Sequence, residues 1–517
     1  MRRWTILLIF LAGLNASAQT PVSSQRKQAS RAKPKLVLAI IVDQFRYDYV
    51  LRFAGEYREG LQQLLAKGAV FTNARYSHFP TFTSVGHAAF FTGASPSVTG
   101  IIGNQWFDRF SGKVVRSVMD DSTRLLGGDG GAGSSPRNLL VSTVGDELKI
   151  SRQGRSRVIG ISIKDYSAIL SAGCSADAAY WYDGKTGSFV SSSYYFRELP
   201  QWVRQFNGTK PADRYKAAEW SGGKLPAEDA SKLYAFIPSS PFGNDLVERM
   251  AEAAVRGERL GAEGTDLLVL SFSSNDYVGH QYGPDSAQVR ETSLHTDRLL
   301  GKLFKFLDAQ VGMANVLVVL AADHGAGATA EAASARKMPG GHVDFAPLRD
   351  AVQKALTDRY GEGKWILSTP EEAIYLNWDL IKSKKLSHEE VGREAAQALL
   401  SMPRVFRVYT REQLLNGLSG DAIDQRVRNG FSAKRGADLY VLLEPYQIFS
   451  RINANHGTPF GYDTHVPVIF MGPGIKAGRY HSAIDVIDVA PTLATILETE
   501  MPSGAEGRIL SEIFSTP

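Results

Sequence analysis

The chain has 517 residues, 44% of them hydrophobic and 21% charged, which is too long for a small disulfide scaffold and too apolar for a disordered chain. Its formal charge of +5 is local: Arg2, Arg3 and five bases between Gln19 and Lys35 carry it, leaving the remainder near −2 and no indicated nucleic-acid partner. Cys174 is the sole cysteine, so an intramolecular disulfide, a cysteine-based metal site and a cysteine nucleophile are excluded.

In chain order, Arg2 and Arg3 precede the apolar run Trp4 to Leu11 and the small-residue triplet Ala16-Ser17-Ala18. This pattern predicts a signal peptide over residues 1–18, too short in its apolar part to span a bilayer. A basic, Ser/Gln-rich leader over 19–35 follows, read as a solvated tether. The expected product is exported, periplasmic or secreted, with no transmembrane segment in the mature chain. Cys174 sits among small and apolar residues, which predicts that it packs.

The length exceeds what one hydrophobic core usually serves, so residues 36–517 are expected to form one large catalytic unit with insertions. Apolar runs at Leu36 to Val42, Leu267 to Phe272, Val316 to Leu320 and Val466 to Phe470 read as buried strands. Between them lie helical patterns such as Ser286 to Leu307, with Leu294, Leu299, Leu300, Leu303 and Leu307 on one stripe. Such alternation predicts an α/β fold covered on both faces of its sheet. Two regions break the rhythm. Residues about 171–240, dense in Tyr, Trp, Ser and Gly, predict an irregular aromatic cap. Residues about 340–446, with signals at Ala373 to Trp378 and Glu389 to Leu400, predict a small α+β subdomain.

Ligands of open α/β sheets lie beyond the carboxyl ends of the strands, which is where Asp43, Asp276 and Asp323 fall. A lone Asp after a strand is commonly a cap or turn residue. His280, His324 and His456 change that reading, because mixed Asp/His shells of three protein ligands suit a zinc ion, and six such ligands divide into two shells. Paired metals can clamp the entering and leaving oxygens of a phosphoryl transfer. The required nucleophile is sought just after Pro80, where Thr81, Thr83 and Ser84 are all candidates.

Several motifs make the comparison specific: Val42-Asp43-Gln44, Pro80-Thr81-Phe82-Thr83-Ser84-Val85-Gly86-His87, Gly103-Asn104-Gln105-Trp106, Asp276-Tyr277-Val278-Gly279-His280, Ala322-Asp323-His324-Gly325 and His456-Gly457. In this order the chain resembles the alkaline phosphatase superfamily, and within it the bacterial phosphate-irrepressible (PafA-type) alkaline phosphatases. The resemblance implies a three-layer α/β/α sandwich with a largely parallel central sheet and inserted cap subdomains. It also implies two Zn2+ ions and small phosphoester substrates. By motif position it makes Thr83 the nucleophile, with Asp43, Asp323 and His324 forming the zinc site beside it. Asp276, His280 and His456 then form the site for the leaving oxygen. His456 is preferred to His465, which immediately precedes the strand-like Val466-Pro467. His87, His78 and His342 are expected to be structural.

The resemblance further implies phosphate contacts from an Asn, a Lys and an Arg. Asn104 and Lys164 fill the first two positions, but Tyr166 stands where the arginine is expected. A phenol offers one donor and no fixed charge, whereas a guanidinium grips two oxygens of a dianion. The leading expectation is a phosphomonoesterase acting through a phosphothreonine. Tyr166 raises the alternative of a phosphodiesterase or nucleotide pyrophosphatase on the same scaffold. A sulfatase is disfavoured, because no cysteine or serine formylglycine precursor motif surrounds the nucleophile.

Overall fold

The computed structural model describes residues 33–449 and 452–515, so the expected signal peptide and most of the leader lie outside the described residues. Twelve strands form the main sheet. They are β1 (Leu36–Val42), β2 (Ala69–Arg75), β3 (Met119–Leu126), β4 (Ala132–Ser134), β5 (Val158–Ser162) and β6 (Ala178–Asp183), followed by β7 (Ser188–Ser192), β8 (Asp266–Phe272), β9 (Val316–Ala321), β10 (His465–Met471), β11 (Gly478–Tyr480) and β12 (Ile484–Asp485). Their order is β11-β2-β10-β9-β1-β8-β5-β6-β7-β3-β4, with β12 also on β2.

The centre, β9-β1-β8-β5-β6, is entirely parallel, with Ile40 of β1 opposite Leu270 of β8 and Leu320 of β9. Every residue of β1, β8 and β9 is buried, which is why these strands read as unbroken apolar runs and not as alternating ones. The expected strand at Val466 is present as β10, but it runs antiparallel to β9 and β2.

Helices cover the sheet in two groups. Helices α1 (Thr83–Thr92) and α2 (Asp165–Ala172) contact each other and the helix Val489–Leu497, whereas α3 (Phe242–Gly257) and α5 (Ala287–Gln310) pack together, with α4 (Ser274–Tyr282) against α5. Helix α5 begins where its Leu stripe predicts, and the Ser286 hydroxyl caps it by accepting from the Val289 N–H. The α/β fold with a mostly parallel sheet between helical layers is therefore present.

Two segments differ from or refine the sequence reading. Within 171–240, the run Tyr180-Trp181-Tyr182 belongs to β6 of the main sheet, and Ser188–Ser192 forms β7. The segment is thus regular where an irregular cap is expected. Aromatic residues are good strand formers, and Tyr180 is buried between the rings of Phe196 and Trp202, 5.9 and 5.4 Å away. Cys174, expected to pack, is exposed instead, because the chain turns outward at Gly173 at the end of α2. Residues 340–446 hold a separate cluster of buried side chains including Leu348, Trp365, Val391 and Leu439. Its helices Phe345–Tyr360 and His388–Leu400 pack together beside the antiparallel hairpin of Val405–Thr410 and Leu439–Leu443.

The close fit of α1 to the end of β9 depends on Gly86. A Cβ there would lie 2.2 Å from the backbone carbonyl oxygen of Asp323, which cannot retreat without moving the residue that follows the strand. Gly86→Ala is expected to cost about 1–3 kcal/mol through overpacking and to lower the thermal midpoint. An unchanged midpoint would refute this account of the contact.

Candidate active site

The candidate residues gather at one edge because the parallel strands end there. Asp43 follows β1, Lys164 follows β5 as the residue before α2, Asp276 lies in the first turn of α4 after β8, and Asp323 and His324 follow β9. Thr83 is the first residue of α1, where unpaired backbone N–H groups and the helix dipole favour an anion. His456 arrives on a loop from the far side of the 340–446 insertion and brings its ring against that of His324, with centroids 3.5 Å apart.

Two sets of potential metal ligands result: Asp43 with Asp323 and His324, and Asp276 with His324 and His456, each set having its ligand atoms within 4.8 Å of one another. His324 Nε2 stands 3.5 Å from both Asp43 Oδ1 and Asp323 Oδ2. Asp276 Oδ1 has His280 Nε2 at 3.1 Å and His456 Nε2 at 3.5 Å. The stacking with His456 places His324 between the two sets, so it belongs geometrically to both.

The surroundings orient each ligand. The Nδ1 atoms of His280, His324 and His456 donate to the backbone carbonyls of Ala454, Gly325 and Thr81, at 2.8, 3.0 and 2.8 Å. A carbonyl can only accept, so Nδ1 carries the proton and Nε2 keeps a lone pair for a cation. Asp323 Oδ1 accepts from the backbone N–H groups of Gln44 and His324, leaving Oδ2 free. The buried Asp43 Oδ1 and Asp323 Oδ2 have no hydrogen-bond partner. Unpaired buried carboxylate oxygens beside an imidazole lone pair are costly without a cation, and this donor set fits zinc or a similar divalent ion.

The Lys164 ammonium lies between the two sets, donating to Asp43 Oδ2 and Asp276 Oδ2, both at 2.7 Å, and reaching Thr83 Oγ1 at 3.4 Å. The two carboxylates hold Lys164 protonated despite its burial. Burial works to raise Asp276, but the charges of His280 and Lys164 keep it well below the ordinary range. Asp43 is raised, first by burial and then by the neighbouring Asp323, and burial pushes Asp323 up to about 7. Burial lowers His456 to about 3 and also depresses His324, which keeps both imidazoles neutral.

Of the three candidate hydroxyls, only that of Thr83 faces this cluster, 3.2 Å from His324 Nε2. Thr81 Oγ1 is engaged with Thr458 O and the Gly457 N–H, and Ser84 Oγ with Ser117 Oγ. Asn104 Oδ1 accepts from the Ser84 N–H at 2.9 Å, which leaves its amide N–H groups for a ligand. Tyr166 opens α2 beside Lys164. Burial raises its hydroxyl pKa, so it remains a neutral phenol. His465 turns away, its Nε2 donating to Thr72 O and its ring stacked on Tyr47. His87 is bonded at both nitrogens, to Thr83 O and Ser271 Oγ, while His78 packs beside Tyr76 and His342 is exposed.

Three neighbours escape the sequence reading. Gln44 Nε2 donates to Asp276 Oδ1 at 2.7 Å, from a backbone with φ 58°. A Cβ on Gly279 would meet the Gln44 amide oxygen at 1.8 Å, which explains a glycine inside α4 next to a ligand. The Tyr277 ring lies 5.3 Å from Lys164 Nζ. Glu371, from the insertion, accepts from the Asn104 N–H at 3.2 Å. Adjacency to Asp43 and Asp276 is the signal for Gln44 and Tyr277, whereas nothing local to Glu371 links it to Asn104.

Below pH 7 the metal-free protein holds a proton on Asp323 that a bound cation must displace, so apparent affinity falls as the pH drops through that range. Zinc titration calorimetry in buffers of different ionisation enthalpy should show greater proton release at pH 6 than at pH 8.5. Equal release at the two values would contradict this protonation state. His456→Ala should weaken uptake, and His465→Ala should leave it unaltered.

Comparison with known proteins places this geometry. The sequence profile of the type I phosphodiesterase / nucleotide pyrophosphatase family matches residues 37–460. The chain is 32% identical to alkaline phosphatase PafA of Elizabethkingia meningoseptica over 99% of both chains. It is 35% identical to a protein of Myroides odoratus named calcium-transporting ATPase, over 93% of this chain and 94% of that one. A crystal structure of wild-type alkaline phosphatase PafA superposes with a TM-score of 0.87 at 33% identity, covering 93% of this chain and 99% of the other. A variant of that enzyme with a threonine, an asparagine, a lysine and an arginine substituted superposes equally well. With this shared fold and near-complete coverage, the chain belongs to the type I phosphodiesterase / nucleotide pyrophosphatase family of the alkaline phosphatase superfamily and is an enzyme of the alkaline phosphatase kind.

Proposed function

We propose that the protein hydrolyses phosphate monoesters through a covalent phosphothreonine on Thr83, using two zinc ions. The observation that carries this reading is the Thr83 hydroxyl, set at a helix N-terminus between an Asp/His ligand cluster and the Lys164 ammonium. Asp43, Asp323 and His324 would hold one ion, and Asp276, His280 and His456 the other. A zinc pair supplies Lewis-acid polarisation and neutralises developing negative charge.

The chain's own groups account for the rest. Thr83 Oγ attacks phosphorus in line, the ester oxygen departs with the bonding electrons as the alcohol, and water later releases inorganic phosphate and restores the threonine. Lys164 and the Asn104 amide are aimed at the oxygens of the transferring group, and the Ser84 N–H holds the amide in that orientation. The substituted PafA structure supports these assignments: its threonine and asparagine positions have the same separation as Thr83 and Asn104, and its lysine and arginine the same separation as Lys164 and Tyr166.

Tyr166 favours a second reading, in which diesters are the better substrates. A diester carries one negative charge fewer and needs room for a second organic group, which a neutral buried phenol tolerates better than a guanidinium. Activity on p-nitrophenyl phosphate and bis-p-nitrophenyl phosphate, compared by kcat/KM in the zinc-loaded enzyme, separates the two. Monoester preference is expected, and Tyr166→Arg should raise monoester kcat/KM by roughly tenfold through the added charge-assisted contact. Diester preference reversed by Tyr166→Arg would establish the second reading. Thr83→Ala should lower kcat on the order of 1,000-fold and abolish the phosphoenzyme trapped at low pH; full turnover by that variant would remove Thr83 from the role.

We also propose export, on the strength of the Arg2-Arg3 start, the Trp4 to Leu11 run and the Ala16-Ser17-Ala18 site. No helix among the described residues is long and apolar enough to cross a membrane. Amino-terminal sequencing of the purified extracellular or periplasmic protein should begin at Gln19; retention of Met1 would overturn cleavage.

A further inference from the structure

A pocket opens beside the candidate leaving-group ligands, between the catalytic core and the 340–446 insertion. Its walls are continuous with the active site at three points: Phe82 precedes Thr83, Gln105 and Trp106 follow Asn104, and His456 itself lines the cavity. On the far side stand Tyr440 and Phe449, with Phe79 completing a largely aromatic enclosure. A phosphomonoester attacked by Thr83 must direct its alcohol portion away from the nucleophile and past the Asp276, His280 and His456 side, where this cavity begins.

The pocket has a particular charge. Among its lining residues are Glu371 and Glu372 and no lysine or arginine. Glu371 is engaged, accepting from the Asn104 N–H. Glu372 has no hydrogen bond or ion pair among the described residues, and burial alone raises its carboxyl pKa to about 7. The guanidinium over the Trp106 ring, Arg435, donates to the carbonyls of Gly100 and Asn138 and does not line the cavity. Both glutamates hold left-handed backbone, with φ 49° and 60°, a conformation costly for non-glycine residues and one that accumulates at ligand sites. It turns two successive carboxyl groups toward an aromatic cavity.

We infer that this pocket receives the leaving group of phosphate monoesters whose alcohol carries an alkyl-bearing, positively charged nitrogen. The inference rests on the phosphomonoesterase reading above and names its substrate class. Aromatic faces attract organic cations and bury their alkyl groups, and an unpaired carboxylate supplies the opposite charge. A neutral apolar alcohol would fill the same space but leave Glu372 without a partner, and an anionic alcohol would face two carboxylates.

The test uses the zinc-loaded mature enzyme with three substrates: phosphocholine, its neutral isostere 3,3-dimethylbutyl phosphate, and p-nitrophenyl phosphate. The wild-type enzyme is expected to favour phosphocholine over the isostere in kcat/KM by about tenfold or more, the scale of a desolvated cation over aromatic rings. In Glu372→Gln that ratio should fall to within about twofold of unity. Because the readout is a ratio measured on one preparation, a general loss of folded enzyme cancels. Equal rates on the two alkyl esters in the wild type, with p-nitrophenyl phosphate hydrolysed, would overturn the inference alone. A phosphocholine preference unchanged in Glu372→Gln would also overturn it. Failure to hydrolyse any of the three would overturn the monoesterase reading and the inference with it.

Discussion

The structure turns on the electrostatic cost of bringing three carboxylates, Asp43, Asp276 and Asp323, to one buried edge of a parallel sheet. All three are essentially withdrawn from water, and charges so placed are tolerated only when paired. Lys164 answers part of the demand by bridging Asp43 and Asp276. The remainder falls on Asp43 and Asp323, whose raised pKa values store the deficit as bound protons. A divalent cation can take the place of those protons, and the imidazoles beside them are already neutral and correctly oriented. Divalent-metal use by this enzyme therefore follows from the same burial that makes the metal-free site costly.

The surrounding packing serves this arrangement. Gly86 lets α1 approach the carbonyl of Asp323, which sets Thr83 opposite His324. Gly279 admits the Gln44 amide, which steadies Asp276. Thr81 uses its hydroxyl and its carbonyl to hold the Gly457 N–H and His456 Nδ1, tying the late loop to the segment just before the nucleophile. Each link joins positions hundreds of residues apart in sequence through a contact of a few ångströms. Rigid support of this kind is what a preorganised electrostatic site requires.

Specificity depends on different parts of the molecule. Around the phosphorus, the Lys164, Asn104 and Tyr166 group offers one fixed charge where a guanidinium would offer a second. Around the alcohol, the insertion contributes Glu371, Glu372, Tyr440 and Phe449, so the segment that interrupts the α/β pattern also shapes the cavity beside His456. The catalytic scaffold and the substrate-shaping wall thus come from separate folding units, each with its own buried cluster.

Much of this enzyme was legible in the amino-acid sequence because its chemistry is attached to the strongest local signals. Strands buried on both faces produce uninterrupted apolar runs, and a parallel sheet places its ligands at their carboxyl ends, so Asp43, Asp276, Asp323 and His324 could be read from position alone. The choice among Thr81, Thr83 and Ser84 could not, since three neighbouring hydroxyls differ only in what they face. Tertiary structure decided it by engaging Thr81 with the 456–458 loop and Ser84 with Ser117. It also decided that Tyr180 to Tyr182 is a sheet strand, that β10 runs antiparallel, and that His465 turns toward Thr72. Glu371 and Glu372 were invisible to local reading for the same reason: side-chain direction and long-range proximity are set by packing between distant segments, and no periodicity or motif spacing encodes them.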